Sequence, residues 1–143
     1  GNSRVVALDG QHKFFRFRIP TSSYGDSHLF TLAAELLKPG DVVIAISTSG
    51  KLPELLAAVD AARAAGADVI AITSSKSPLA KKASICLAVD HSEDSTTFLS
   101  MISRILQLLL IDIISVGISL GAQGGESEGE TENKRLLISH TDV

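Results

Sequence analysis

The sequence has little with which to build an aromatic core. It contains no tryptophan, one tyrosine and five phenylalanines, although 45% of its 143 residues are hydrophobic. We therefore expect a core of Ala, Ile, Leu and Val, in one domain large enough to bury it. Cys86 is the only cysteine, which excludes an internal disulfide and favours a reducing, cytoplasmic compartment.

The sequence also lacks a large excess of charge of either sign. The formal net charge is -3, and acidic and basic residues are interspersed, so no polybasic nucleic-acid surface is expected on this chain. Residues 1–20 lack the continuous apolar segment of a signal peptide. The apolar stretch 101–120 carries Arg104, Gln107 and Asp112, which favours a buried or oligomer-forming helix and no membrane partner.

Strand-like and helical patterns alternate along the chain. Continuous β-branched runs predict buried parallel strands at residues 41–47, 67–74 and 84–89. Helices are predicted at 4–18, 27–37, 52–66, 77–83 and 96–120, and a turn at 20–25. This alternation predicts an α/β fold with a parallel sheet and right-handed crossovers.

The last part of the chain differs in composition. Residues 121–133 are rich in glycine and glutamate, which predicts a mobile linker. A strand-like core follows at 136–139. We therefore expect one domain over 1–120 and a flexible tail over 121–143 that contains a possible short strand.

Three hydroxyl side chains stand where the first predicted buried strand meets a helix. Ser47, Thr48 and Ser49 are followed by Gly50 and Lys51. In open parallel sheets, ligands bind beyond the carboxyl ends of strands, near helix amino termini that stabilise anions. The next helix is predicted to begin with leucine at its N-cap, which cannot cap, so water or an anion would satisfy its amides. The pattern suits a phosphate site, although a βα turn also favours these residue types.

The stretch VVIAISTSGKLPELLAAVDAARAAGADVIAITSSKSPLAKKASICLAV closely resembles the sugar-isomerase (SIS) domain, a phosphosugar-binding α/β fold. Two flanks, ALDGQHKFFRFRIP and EDSTTFLSMISRILQLLLID, resemble the effector domain of RpiR/HexR-type bacterial transcription regulators. The resemblance covers residues 1 to about 121. It implies a three-layer, flavodoxin-like open parallel sheet with helices on both faces.

The resemblance also implies a site. The family's phosphate loop falls on residues 47–50, a second loop on Gly1 and Ser3, and the part facing the sugar on the loop around Glu93. It implies a sugar phosphate as ligand, 2-keto-3-deoxy-6-phosphogluconate in HexR-type members, with no cofactor. It further implies a homodimer, and DNA binding only through a helix-turn-helix domain.

The sequence departs from the family pattern in three places. Leu52 stands where the family often has a threonine that contacts phosphate. The family's first strand and its helix-turn-helix domain are not among these residues. The tail does not resemble the family's C-terminal helix, and we hypothesise that residues 136–139 substitute for the missing strand, in this chain or a neighbour.

Other interpretations remain open. An aldose–ketose phosphate isomerase of the same fold is the alternative to a non-enzymatic sensor, and its acid or base would come from His28, His91, Glu93 or Asp94. No metal-ligand spacing is present, so no metal is predicted. His12 is expected to be a packed or surface histidine. The apolar stripe of the last helix is expected to be core, or to join subunits; it comprises Ile102, Ile105, Leu109, Ile113 and Val116.

Overall fold

The structure is a computed structural model that describes residues 2–90, 99–124 and 136–141. Helices and strands alternate in the order α1 (Asn2–Arg16), β1 (Thr21–Tyr24), α2 (Ser27–Glu35), β2 (Val42–Ser47), α3 (Pro53–Ala64), β3 (Asp68–Thr73), α4 (Pro78–Lys82), β4 (Ile85–Ala88), α5 (Leu99–Gly124) and β5 (Leu136–Thr141). The predicted α/β alternation is confirmed.

A single five-stranded sheet in the order β1-β5-β2-β3-β4 organises the chain. All four strand pairings are parallel, so the carboxyl ends of the strands lie at one edge. The last strand of the chain is central, because β5 pairs with β1 through Thr21↔Leu136 and with β2 through Val42↔Leu136. Residues 136–141 therefore complete the sheet in this chain. They lie between β1 and β2.

Helices cover both faces of the sheet, which makes three layers. Alternating strand residues face opposite sides: Val43 and Ala45 of β2 join the core under α2 and α3, whereas Ile44 and Ile46 join the core under α1 and α5. Both cores are mainly aliphatic, with Phe14 and Phe30 as their fully buried aromatic side chains. This layering brings helix amino termini to the carboxyl edge of the sheet, where the candidate site lies.

Strand β1 corrects the turn predicted at residues 20–25. Its sequence, Thr-Ser-Ser-Tyr, lacks the β-branched run that identifies a buried strand. It is an edge strand, and its hydrogen bonding to β5 keeps it extended although its side chains do not favour a strand. Such pairing between distant segments is invisible to a local pattern.

Helix α5 carries its apolar stripe on the outside. The side chains of Ile105, Leu109 and Ile113 are 63%, 51% and 56% exposed, so the expectation that the stripe forms the core is wrong. The buried residues of α5 form an inner line that includes three polar side chains, Ser103, Gln107 and Ser115, beside Ile111. Partly buried apolar residues of the same helix flank this line and pack against the core, among them Leu106, Leu110 and Ile114. By length and composition alone, Met101–Gly121 could also cross a membrane, but a core helix meets the same criterion and the observation is weak.

Helix α1 has the same inverted pattern. Val6 and Phe14 are fully buried, whereas Val5, Leu8 and Phe15 are exposed. Val5, Leu8 and Phe15 recur at helical spacing, and the face they form is exposed on a helix that packs against α5. Lys13 of α1 joins the two helices through an ion pair with Asp112 of α5, and it also pairs with Asp9 on its own helix. We use the term outer face for the exposed apolar side chains of these two helices, Val5, Leu8 and Phe15 of α1 and Ile105, Leu109 and Ile113 of α5.

Candidate phosphate-binding site

The candidate site is the loop between β2 and α3 at the carboxyl edge of the sheet. Strand β2 ends at Ser47 and helix α3 begins at Pro53, which places residues 48–52 in the connection. Apolar residues cover both faces of β2, so a ligand can approach only the loop that follows this strand. The loop is therefore held by a rigid central strand.

The three hydroxyl groups of the loop differ in environment. Ser47 is fully buried, and its Oγ accepts the Gly50 N–H at 3.0 Å. Thr48 is exposed, and Ser49 is half-buried with its Oγ accepting the Lys51 N–H at 3.4 Å. Ser47 thus shapes the turn from inside. Thr48 and Ser49 are the hydroxyls that lie within reach of a ligand from solvent.

Gly50 makes the turn possible. Its φ of +61° lies in the left-handed region that favours glycine. A Cβ at this position would lie 2.5 Å from both Ser77 Oγ and Thr73 Oγ1, and these two hydroxyls lie 3.2 Å apart. The Gly50 carbonyl accepts the Leu79 N–H at 3.1 Å. The loop after β3 therefore supports the candidate loop from behind and leaves no space for a side chain.

The amino terminus of α3 opens beside these hydroxyls. Leu52 is the N-cap residue and Pro53 lies in the first turn, as predicted, and among the described residues no side chain caps the helix. The unpaired amides and the helix dipole favour an anion there. Lys51 and Glu54 are exposed nearby and add one charge of each sign. The groups that this end of α3 offers to an anion are therefore mainly amides and hydroxyls, with no dominant charged side chain.

Helix α5 contributes a contact that the sequence did not reveal. Gln107 is 3% exposed, and its Nε2 donates to Thr48 Oγ1 at 3.5 Å. The residues are 59 positions apart, so no spacing rule connects them. The available signal was a polar amide in a largely apolar helix that also carries Arg104 and Asp112, and by itself this amide argues only against a membrane span.

Further polar contacts fix the loop after β3. The Asp90 carboxylate accepts the Ser75 N–H at 2.8 Å and the Ser74 hydroxyl at 3.2 Å. Hydrogen bonds from the side chain and then the backbone of Ser75 hold the pKa of Asp90 below its ordinary value. Burial, followed by the nearby Asp90 charge, raises the pKa of the Cys86 thiol, so the thiolate is disfavoured and Cys86 is a poor nucleophile.

Of the predicted second loop and the loop around Glu93, the structure describes only Ser3. Ser3 lies in the first turn of α1, while Gly1, His91, Glu93 and Asp94 lie outside the described residues. Their assignment to the site stays a prediction.

His28 and His12 are both exposed. His28 lies in the first turn of α2, where its backbone N–H donates to the carboxylate of the capping Asp26 at 2.8 Å. His12 is thus a surface histidine. Within residues 2–90, 99–124 and 136–141, no group of three or more His, Cys, Asp or Glu residues is placed to hold a metal.

Proteins of two kinds are among those similar to this chain. Over 120 residues the chain is 56% identical to a "Bifunctional protein glk" of Burkholderia orbicola, covering 84% of this chain and 19% of that protein. It is 38% identical to the "HTH-type transcriptional regulator HexR" of Pseudomonas aeruginosa, again over 84% of this chain, and covers 42% of that regulator. The chain thus spans a minor part of either relative.

The same fold occurs in a solved structure. The Vibrio vulnificus NanR protein complexed with ManNAc-6P superposes with a TM-score of 0.77 at 24% identity, over 87% of this chain and 47% of that one. This likeness shows the fold. The SIS domain family model matches residues 1–116, which include the β2–α3 loop and most of α5. The chain belongs to the SIS domain family and is related to the HexR-type regulators.

Proposed function

We propose that this chain is a phosphosugar-binding effector domain that senses a sugar phosphate and does not catalyse a reaction. The observation that carries the proposal is the uncapped amino terminus of α3 beside the exposed Thr48 and half-buried Ser49 hydroxyls. In the bonds described above both hydroxyl oxygens accept, so those bonds do not use the hydroxyl protons. A phosphate can therefore accept hydrogen bonds from these two hydroxyls and from the amides of the helix.

The ligand we propose is a sugar phosphate such as 2-keto-3-deoxy-6-phosphogluconate, the effector that the resemblance to HexR-type members implies. The V. vulnificus relative of the same fold is complexed with ManNAc-6P, which supports this class of ligand without fixing the sugar. Leu52 replaces a family threonine and offers no hydroxyl. We therefore expect Thr48 and Ser49 to carry more of the phosphate binding here.

The regulatory setting is part of the same proposal. The HexR relative is named an HTH-type transcriptional regulator, and the chain itself has more acidic than basic residues, 16 against 13. We propose that DNA binding belongs to a helix-turn-helix domain outside these residues, in a cytoplasmic bacterial protein. The glk-named relatives carry a similar segment within a longer protein, so the domain is a module used in more than one context.

Titration calorimetry tests ligand binding. Wild-type protein is titrated with 2-keto-3-deoxy-6-phosphogluconate, glucose 6-phosphate, inorganic phosphate and unphosphorylated glucose. We expect binding to require the phosphate group. Ser49→Ala should weaken it, since a hydrogen bond to a charged group is worth about 1.5–3 kcal/mol, or roughly 10- to 150-fold in Kd.

The matched control is Ser84→Ala. Like Ser49 Oγ, Ser84 Oγ accepts a backbone N–H, that of Val69 at 3.1 Å. Ser84 lies just before β4, at the opposite edge of the sheet from the candidate loop. Conversion of any sugar phosphate into its isomer, followed by NMR, would refute the sensor and establish the isomerase. Binding that Ser49→Ala leaves unchanged would place the site elsewhere.

We also propose that the outer face joins two copies of the chain. It combines Ile105, Leu109 and Ile113 of α5 with Leu8 and Phe15 of α1, all exposed in the single chain. Large exposed apolar patches mark interaction surfaces, and the two helices that carry these residues pack against each other. A face built from two adjacent helices of one chain can be self-complementary across a two-fold axis.

Light scattering after gel filtration tests the dimer. Leu109→Glu should yield monomers, since it places a charge within the outer face. The matched control is Leu32→Glu on α2, whose side chain is 47% exposed and lies on the other side of the sheet. A monomeric wild type, or equal effects of the two substitutions, would contradict this interface.

A further inference from the structure

Gln107 is a buried side chain whose amide reaches out of its own helix. Only 3% of the residue is exposed, and a buried amide is costly unless it is hydrogen-bonded. The neighbouring inward residue Ser115 satisfies its hydroxyl locally, by donating to the Ile111 carbonyl at 2.8 Å. Gln107 instead donates across to Thr48, in the loop between β2 and α3.

The two partners have opposite exposures. Thr48 is exposed, whereas the amide that holds it is buried. Because Thr48 Oγ1 accepts from Gln107 Nε2, its own proton is directed away from that bond and remains to be donated elsewhere. A hydroxyl that accepts one hydrogen bond also becomes a better donor of the next. The buried amide therefore both limits the rotation of Thr48 and strengthens its O–H as a donor.

We propose that Gln107 is a positioning residue for the phosphate-binding loop, acting through Thr48 on a bound phosphate monoester. This inference rests on the proposed function. The N···O distance of 3.5 Å is at the long end for a hydrogen bond, and the bond shortens when Thr48 donates to an anion. Gln107 does not touch the ligand.

A double-mutant cycle separates this role from a general structural one. Affinities for 2-keto-3-deoxy-6-phosphogluconate and for inorganic phosphate are measured in wild type, Gln107→Leu, Thr48→Val and the double variant. We expect Gln107→Leu to weaken phosphate binding about three- to tenfold. In the Thr48→Val background, Gln107→Leu should have no further effect, because interacting residues are non-additive.

Two further variants keep the test decisive. Gln107→Glu preserves the shape of the side chain but its carboxylate cannot donate, so Thr48 must donate to it and phosphate affinity falls even if Gln107→Leu fails to fold. Ser115→Ala is the control, since it alters the same inner line without contact to the loop, and its affinity should equal that of wild type.

The outcomes are distinct. If wild type binds phosphate but Gln107→Leu weakens binding equally with and without Thr48, or not at all, the positioning role is overturned and the proposed function stands. If wild type binds none of the phosphates, both are overturned.

Discussion

Gly50 offers a sharp test of how the candidate loop is built. Replacing it by alanine adds one Cβ at a backbone φ of +61°, within 2.5 Å of Thr73 Oγ1 and Ser77 Oγ and 2.7 Å of Ser77 Cβ. Neither hydroxyl can move easily. Thr73 is 1% and Ser77 3% exposed, and Ser77 Oγ also caps α4 by accepting the Ala80 N–H.

Two costs add in the Gly50→Ala variant. The left-handed backbone costs a non-glycine residue roughly 1–2 kcal/mol, and overpacking of a buried site costs typically about 1–3 kcal/mol. We therefore expect the free energy of unfolding to fall by about 2–5 kcal/mol. For a domain of this size, each kcal/mol corresponds to roughly 3–5 °C in Tm, so Tm should fall by about 6–25 °C.

Thermal and urea unfolding monitored by circular dichroism measure this change. Gly117→Ala is the matched control, because a Cβ at Gly117 meets no atom within 4 Å and alanine stabilises a helix by about 0.8–1 kcal/mol relative to glycine. The same chemical change should therefore have opposite signs at the two positions. Gly50→Asn separates the two costs: asparagine tolerates the left-handed backbone but not the lack of space, so it should remain destabilised.

A Gly50→Ala protein that unfolds within about 2 °C of wild type would refute this reasoning. Such a result would mean that the loop relaxes at no cost, so that Ser77 and Thr73 do not fix its shape. The proposed phosphate site would then lack the rigid support that it needs to hold donors in place.

Three other predictions concern the same edge of the sheet. Leu52→Thr should tighten phosphate binding by about 1 kcal/mol or more, because it adds a hydroxyl that can donate to a phosphate bound beside the amino terminus of α3; calorimetry of the two proteins decides, and weaker or unchanged binding would contradict a phosphate at this position. Asp26→Ala should lower the free energy of unfolding by about 1 kcal/mol, since Asp26 caps α2 through His28 N and Leu29 N; urea unfolding that does not change would contradict the cap. The lowered pKa of Asp90 means that its contribution to stability is present above about pH 4, the pKa of an unfolded aspartate, and is lost as the pH falls; Asp90→Asn should therefore show a weaker loss of Tm between pH 5 and 2, and an unchanged acid profile would contradict this.

The sequence is most informative where chemistry is local. The β-branched run ending at Ser47, the proline near the start of α3 and the hydroxyl-rich turn are contiguous, and each acts on its immediate neighbours. Their structure follows from rules that operate within a few residues. The loop and its uncapped helix can therefore be placed from the order of the residues alone.

Long-range pairing sets the limit of sequence reasoning. The local pattern predicts a turn where strand β1 forms, because its partner, β5, lies far away in the sequence. For residues 136–139 the sequence leaves open whether the strand completes this chain or a neighbour, since strand order depends on competition between distant segments. The contact of Gln107 with Thr48 is hidden for the same reason.

Helix α5 shows a different limit. An apolar stripe at helical spacing predicts which residues share a face, and Ile105, Leu109 and Ile113 do share one. Which face turns inward depends on what the sheet presents to it. Here the inner line includes polar residues that bond to the helix itself, as Ser115 does, or to the loop, as Gln107 does.

These two sides of α5 imply a testable link between ligand and dimer. Gln107 touches the candidate loop and the outer face lies on the opposite side of the same helix. A ligand can shift subunit association only if it binds monomer and dimer with different affinity, and the factor must then be the same in both directions. We expect saturating 2-keto-3-deoxy-6-phosphogluconate to change the dimer dissociation constant, measured by analytical ultracentrifugation, and Gln107→Leu to reduce that change even at ligand concentrations that saturate the variant. An identical shift in wild type and Gln107→Leu would show that the coupling does not pass through the Gln107–Thr48 contact, because the variant keeps the outer face and removes only the amide.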